Sequence, residues 1–292
     1  MTQTNSSNQN SYDRNRRFVG CGAIVTGAGS GIGRETTLAF AQEGANVYST
    51  DINAETLAET AEMGAGLPGA IHIGVHDVSS RASCFEAVAA AQDALGSFNI
   101  LCNIAGISWA EHAVNVTEEM WDKMIGINLS GVFWMSQAAL PHLLEQAGGA
   151  TPDESRDELP ELGSGGQGGF DIAPSPSIVN ISSTAGIMGQ AYTVPYCATK
   201  GGVALMTKSF AMEFAKTNLR VNAVAPGGVD TSLSQNFHMP ADVDFELIQR
   251  FMGFRGMSHP RAMANAVLFL ASAEANRLNG TILSVDAGMT AG

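Results

Sequence analysis

From residue 18 onward, short apolar runs alternate with longer stretches of helical composition. Val19 to Thr26, Asn46 to Thr50, Ala70 to Val75, Asn99 to Ile104, Ser177 to Ile181, Arg220 to Val224 and Thr281 to Val285 read as strands. Thr36 to Glu43, Ala54 to Met63, Ser83 to Leu95, Thr117 to Leu144, Tyr196 to Thr217 and Arg261 to Ser272 read as helices, with a bend expected near Gly131. Strands separated by helices of about ten or more residues imply βαβ units and a parallel sheet. The pattern predicts an α/β fold: a Rossmann-type, doubly wound parallel sheet of about seven strands with helices on both faces.

Two stretches break the rhythm. Residues 1–17 are polar and lack the apolar segment of a secretory signal, so they read as a tail. Residues 146–176 hold seven Gly, four Pro and six acids against one Arg. That composition predicts a surface insertion; an active-site lid or partner contact is the functional alternative. One α/β domain, residues 18–292, can absorb the remainder.

Composition narrows the class. At 45% hydrophobic and 15% charged, the chain can fill a large core. A net charge of −13 argues against nucleic acid and against anionic lipid. No apolar run approaches the ~18 residues of a membrane span. The four cysteines, Cys21, Cys84, Cys102 and Cys197, form no CxxC pair and no Cys/His ligand spacing. Neither a disulfide framework nor a metal site is expected, and the chain reads as a cytoplasmic protein.

The first strand runs into Thr26-Gly27-Ala28-Gly29-Ser30-Gly31-Ile32-Gly33, with a helix after it. Glycines let backbone amides approach a pyrophosphate, and the helix N-terminus adds unpaired N–H groups. A tight turn without a ligand is the bland alternative. Asp51 closes the second strand, where a carboxylate accepts hydrogen bonds from a ribose and repels a 2′-phosphate. Ile52 follows it, and the nearest cation, Arg34, lies at the helix start. NAD is therefore expected over NADP. Asp51 could also serve as a helix N-cap.

Tyr196 and Lys200 are four apart and share a helix face. A free phenol has a pKa of ~10, and a nearby ammonium should lower it enough to make a base. Ser183 lies 13 residues upstream at a strand end, placed to stabilise charge developing on a substrate oxygen. Alone, each has a plainer reading: a chance pair, a turn serine. Asn128, likewise, could be a cap or a buried hydrogen-bonding residue. Cys197 has no evident base, and Cys102 reads as core. His72 and His76 read as a solvated strand end rather than metal ligands.

With these residues in this order, the chain resembles the short-chain dehydrogenase/reductase family over residues 18–289. The TGxxxGxG pattern is met by Thr26, Gly27, Gly31 and Gly33. The family's NNAG appears as Asn103-Ile104-Ala105-Gly106, with Ile104 in place of the second Asn. YxxxK is met by Tyr196 and Lys200, and the closing VDAG runs from Val285 to Gly288. The resemblance implies that Asn128, Ser183, Tyr196 and Lys200 are catalytic, with Asn128 holding a relay water. It further implies a cofactor lined by Gly27, Ser30, Gly31, Ile32 and Gly33. Asp51, Ile52, Asp77 and Val78 would hold its adenosine, and Asn103, Ala105 and Gly106 would lie beside it. Lys200 would hold the nicotinamide ribose beside Tyr196. Pro226, Gly227, Val229 and Thr231 would hold the nicotinamide end. It also implies a homotetramer.

Segments expected to face a small-molecule substrate contain Trp109, His112, Met188, Gln190, Tyr192, Leu233, Phe237, His238 and Met239, joined by Phe251 and Phe254. Only Arg250 and Arg255 lie nearby as cations, so a carboxylate or phosphate substrate is disfavoured. The expectation is a bulky, uncharged secondary alcohol or ketone: cyclic, aromatic, terpenoid or steroid-like. The competing readings are a 3-oxoacyl-thioester reductase and a non-catalytic NAD-sensing protein.

Overall fold

The computed structural model describes residues 16–148 and 174–291. Most of the 146–176 insertion and the polar tail thus lie outside the described residues. Seven strands form one parallel sheet: β1 (Gly22–Thr26), β2 (Asn46–Asp51), β3 (Ile71–Val75), β4 (Ile100–Asn103), β5 (Ser177–Ile181), β6 (Arg220–Pro226) and β7 (Ile282–Val285). Their order is β3-β2-β1-β4-β5-β6-β7. Chain order reverses between β1 and β4, which opens a crevice at the C-terminal strand ends.

The longer helices are α1 (Gly31–Gln42), α2 (Ala54–Met63), α3 (Arg81–Leu95), α4 (Glu118–Ile125), α5 (Gly131–Gln146) and α6 (Val194–Glu213). Two short helices, α7 (Ser232–Gln235) and α8 (Phe245–Gln249), precede α9 (Pro260–Ala271). Both sheet faces are covered. Val25 packs with Phe40, Val179, Val224 and Leu268 on one side; Ile24 packs with Leu101, Met135, Ile178 and Phe210 on the other. Burial on both faces explains why these strands read as continuous apolar runs. At the start of β6, Arg220 donates to the carbonyls of Leu270, Ala271, Ser272 and Ala275 and so closes the C-terminal end of α9. Burial pulls its guanidinium down to about 10.

Three boundaries differ from expectation. The first strand starts at Gly22, because Phe18 turns inward to meet Phe40 edge-on at 4.8 Å and Cys21 N–H bonds back to the Phe18 carbonyl. α1 starts at Gly31, since the last glycines of the turn form its first turn. The long helix expected over 117–144 is broken into α4 and α5 by a π-helical turn at Gly126–Ser130. α7 and α8 escape a periodicity search because each spans barely a turn. Local chemistry fixes them: Thr231 and Ser234 form a capping box, and the Asp244 carboxylate accepts from Glu246 N–H.

Candidate active site

A cleft of about 760 Å³ lies over the crevice between β1 and β4. Thr26 holds its floor together. Its hydroxyl accepts from Ile104 N–H at 2.9 Å and Ala105 N–H at 3.1 Å, tying the end of β1 to the end of β4. Gly27 has φ +68°, and a Cβ there would stand 2.8 Å from Ala105 Cα. Only glycine permits this approach. Ile104 packs into the core, so its replacement of a polar residue leaves the backbone at Ala105-Gly106 in place.

One end of the cleft suits a dinucleotide. Ser30 is the N-cap of α1 but makes no capping bond through its side chain, so the first N–H groups of α1 have no side-chain partner. That is the donor set of a phosphate site. Asp51 accepts from Gly29 N–H at 2.9 Å and from Asn53 N–H at 3.0 Å, fixing its carboxylate at the cleft edge. It does not cap α2; Asn53 does, accepting from Glu55 and Thr56 N–H. Arg34 is engaged with the turn and with α2, donating to Gly29 O at 2.5 Å, Thr56 O at 3.0 Å, Thr60 Oγ1 at 3.0 Å and Glu59 Oε2 at 2.8 Å. Asp77 and Val78 line the adjacent wall, Asp77 held by Ser79 N–H and hydroxyl. Beneath them His76 is buried rather than solvated, between Thr50 Oγ1 at 3.2 Å and Cys84 Sγ at 3.4 Å. Desolvation pulls its imidazole down to about 4 and pushes the Cys84 thiol up to about 12. Among the described residues no metal-binding group of His, Cys, Asp or Glu forms.

At the other end, Ser183, Tyr196 and Lys200 converge. Ser183 follows β5, and its Oγ caps the next turn through Ala185 N–H at 3.1 Å, beside the Tyr196 phenol in the cleft. Lys200 Nζ donates to Ile181 O at 2.8 Å and lies 5.8 Å from the Tyr196 ring centre. Desolvation pulls this amine down to about 8. The phenol departs from expectation: burial raises it, and the neighbouring Ser183 hydroxyl only partly offsets that.

Asn128 lies behind this group in the π turn, fully buried. Its Oδ1 accepts from Ile107 N–H and its Nδ2 donates to Ile107 O, both at 2.8 Å. The residue that the resemblance assigns to a relay water is engaged through its side chain with the segment after β4. A Cβ at Gly106 would stand 3.1 Å from Asn128 Oδ1 and 3.6 Å from Lys200 Nζ, so glycine there leaves room for both.

The matching family models are short chain dehydrogenase over residues 22–151 and Enoyl-(Acyl carrier protein) reductase over residues 172–290. A 3-oxoacyl-[acyl-carrier-protein] reductase of Thermotoga maritima is 36% identical over 94% of this chain and 99% of its own. The chain belongs to the short-chain dehydrogenase/reductase family. It is an oxidoreductase of alcohols and ketones with an NAD(P)-binding Rossmann fold. A 2,5-dichloro-2,5-cyclohexadiene-1,4-diol dehydrogenase of Sphingobium indicum is 34% identical over 94% of this chain and 98% of its own. Among solved structures, a 3-ketoacyl-(acyl-carrier-protein) reductase from Brucella melitensis complexed with NADH superimposes with a TM-score of 0.77, at 28% identity, over 93% of this chain and 99% of that one. No helix among the described residues is long and apolar enough to cross a membrane.

Of the site residues expected from sequence, the cleft gathers Gly27, Ser30, Gly31, Ile32, Gly33, Asp51, Ile52, Asp77, Val78, Ala105, Gly106, Ser183, Tyr196, Lys200, Pro226, Gly227, Val229 and Thr231. Asn103 is not brought to it. Its side chain is buried and donates to Asn180 Oδ1 at 2.9 Å and Ser136 Oγ at 3.1 Å, bridging β4 to β5 and α5. On the substrate side, Gln190, Leu233, Phe237, Met239 and Phe251 line the cleft, whereas Trp109, His112, Met188, Tyr192 and His238 do not, and Phe254 is fully exposed. Ile248, Met252, Met257 and Met289 were not expected there. Nothing in the sequence pattern marked these four residues as cleft-lining.

Proposed function

We propose that this chain interconverts bulky, uncharged secondary alcohols and ketones with NAD(H). The observation that carries this reading is the lining of the cleft: Lys200 is the only Lys or Arg among its described residues, and its substrate half is rich in Phe, Met, Leu and Ile, with Gln190 as an uncharged polar member. A 2′-phosphate at the adenosine end would meet Asp51, while Arg34 is already engaged with Gly29 O and α2. The same lack of cations disfavours a charged acyl carrier, and Arg250 on α8 points to solvent. The name of the Thermotoga relative favours a thioester substrate; the lining favours a neutral one. The family resemblance further supports a homotetramer, with residues 18–292 as one domain.

In this reading a bound NAD(H) supplies hydride transfer. Tyr196, as a phenol, gives its proton to the substrate oxygen during reduction; as a phenolate it takes the alcohol proton during oxidation. Ser183 donates to the same oxygen. Lys200 would hold the ribose hydroxyls, with its amine pulled down to about 8 beside the Tyr196 ring. Asn128 fixes the segment at Gly106-Ile107 against which these groups sit.

The test is a rate comparison. NAD-dependent oxidation of cyclic and bicyclic secondary alcohols should exceed NADP-dependent oxidation by at least about 100-fold in kcat/KM, as like-charge contact at Asp51 requires. Preference for NADP, or turnover confined to acyl thioesters, would overturn it.

A further inference from the structure

Tyr192 joins three segments around the mouth of the cleft. Its backbone is left-handed, φ +65°, a conformation a bulky residue rarely adopts without compensation. The compensation is visible. Its carbonyl accepts from Glu111 N–H at 2.7 Å, holding the segment after β4. Its ring meets His112 edge-on, with centres 5.0 Å apart. Its phenol oxygen accepts from Asp244 N–H at 2.9 Å, at the N-cap of α8. α8 carries Ile248 into the cleft, and Tyr192 lies two residues after Gln190, which also lines it.

Two further bonds follow the same seam. Ala110 N–H donates to His238 O at 3.0 Å, and His112 Nε2 lies 2.9 Å from Asp242 Oδ1. The Asp242 side chain is 80% exposed, so the His112 pair adds little by itself. Tyr192 is the member that reaches both sides and continues directly into α6, four residues before Tyr196.

We propose that Tyr192 is a positioning residue that latches α8 to the lead-in of the catalytic helix and so sets the height of the substrate wall over the cleft. The latch makes no contact with the reacting atoms. It governs how readily residues 236–258 lift to admit a bulky substrate. The proposal rests on the alcohol/ketone reading for its kinetic consequence, but not for its structural one.

Tyr192→Phe removes the Asp244 bond while keeping the ring. Tyr192→Asn removes the ring with a side chain that tolerates left-handed φ. In hydrogen–deuterium exchange on the full chain, both should speed the amides of 236–258 by about three- to tenfold, the loss expected for one hydrogen bond, with sheet amides unmoved. With NAD, the KM for 2-decalol should shift more than kcat, and more than the KM for cyclohexanol. Unchanged exchange in both variants would overturn the latch. So would equal loss on both alcohols together with faster exchange in the sheet, which marks a general loss of stability. If the unsubstituted chain oxidises neither alcohol, the substrate reading fails, and the exchange arm alone decides the latch.

Discussion

Tyr196, the proton donor and acceptor in the proposed reaction, starts from an unexpected point. The Tyr/Lys spacing suggests an ammonium lowering a phenol, but burial raises the phenol and Lys200 donates to Ile181 O. A raised phenol stays protonated at neutral pH, the form that reduces a ketone. Oxidation needs the phenolate, whose fraction grows as pH rises. Alcohol oxidation should therefore climb from about pH 6 to about pH 9, while ketone reduction holds through neutral pH and declines only in alkali. Lys200, near 8, gives up its charge within that range and limits the climb at its upper end. Steady-state pH profiles in both directions check this; oxidation that falls between those limits would contradict it.

At the scale of elements, the π turn at Gly126–Ser130 is the least regular part of the long helix and the part nearest the site. π turns are frequent at functional sites because they displace one residue from the helical ladder. Here the turn holds Asn128, bonded twice to Ile107. Asn128→Ala should remove both bonds and loosen Gly106-Ile107 beside Lys200. We expect kcat to fall about tenfold or more, with a stability loss of about 1–3 kcal/mol. Steady-state kinetics and thermal unfolding measure the two; full activity with unchanged Tm would contradict the account. The sequence placed a bend only near Gly131, because helical composition continues through 126–130 and the break lies in side-chain-to-backbone bonding that no periodicity records. The capped turns α7 and α8 were hidden for a related reason: their stability comes from Thr231, Ser234 and Asp244, not from an apolar stripe.

For the whole molecule, the alternation of apolar runs and helices was enough to anticipate a parallel sheet, because strands buried on both faces have no polar alternation to confuse them. The strand order itself was not read from the sequence; the structure puts the crevice between β1 and β4. The glycine turn, Asp51, Ser183 and the Tyr196/Lys200 pair were legible because each chemistry needs a residue type at a fixed spacing. Asn103, named through the family's NNAG motif, turns its side chain inward to Asn180, a choice set by tertiary packing. The methionine-rich wall was equally hidden, since Met252, Met257 and Met289 come from segments without periodicity. The central claim is that the phenol of Tyr196 transfers the substrate proton in a cleft built separately to hold NAD(H). The most direct test pairs NADH binding, followed by fluorescence, with turnover in Tyr196→Phe. The account predicts binding retained within about threefold while kcat falls by about 10²–10⁴, the usual worth of general acid–base catalysis. Turnover within a few-fold of the unsubstituted chain would contradict it.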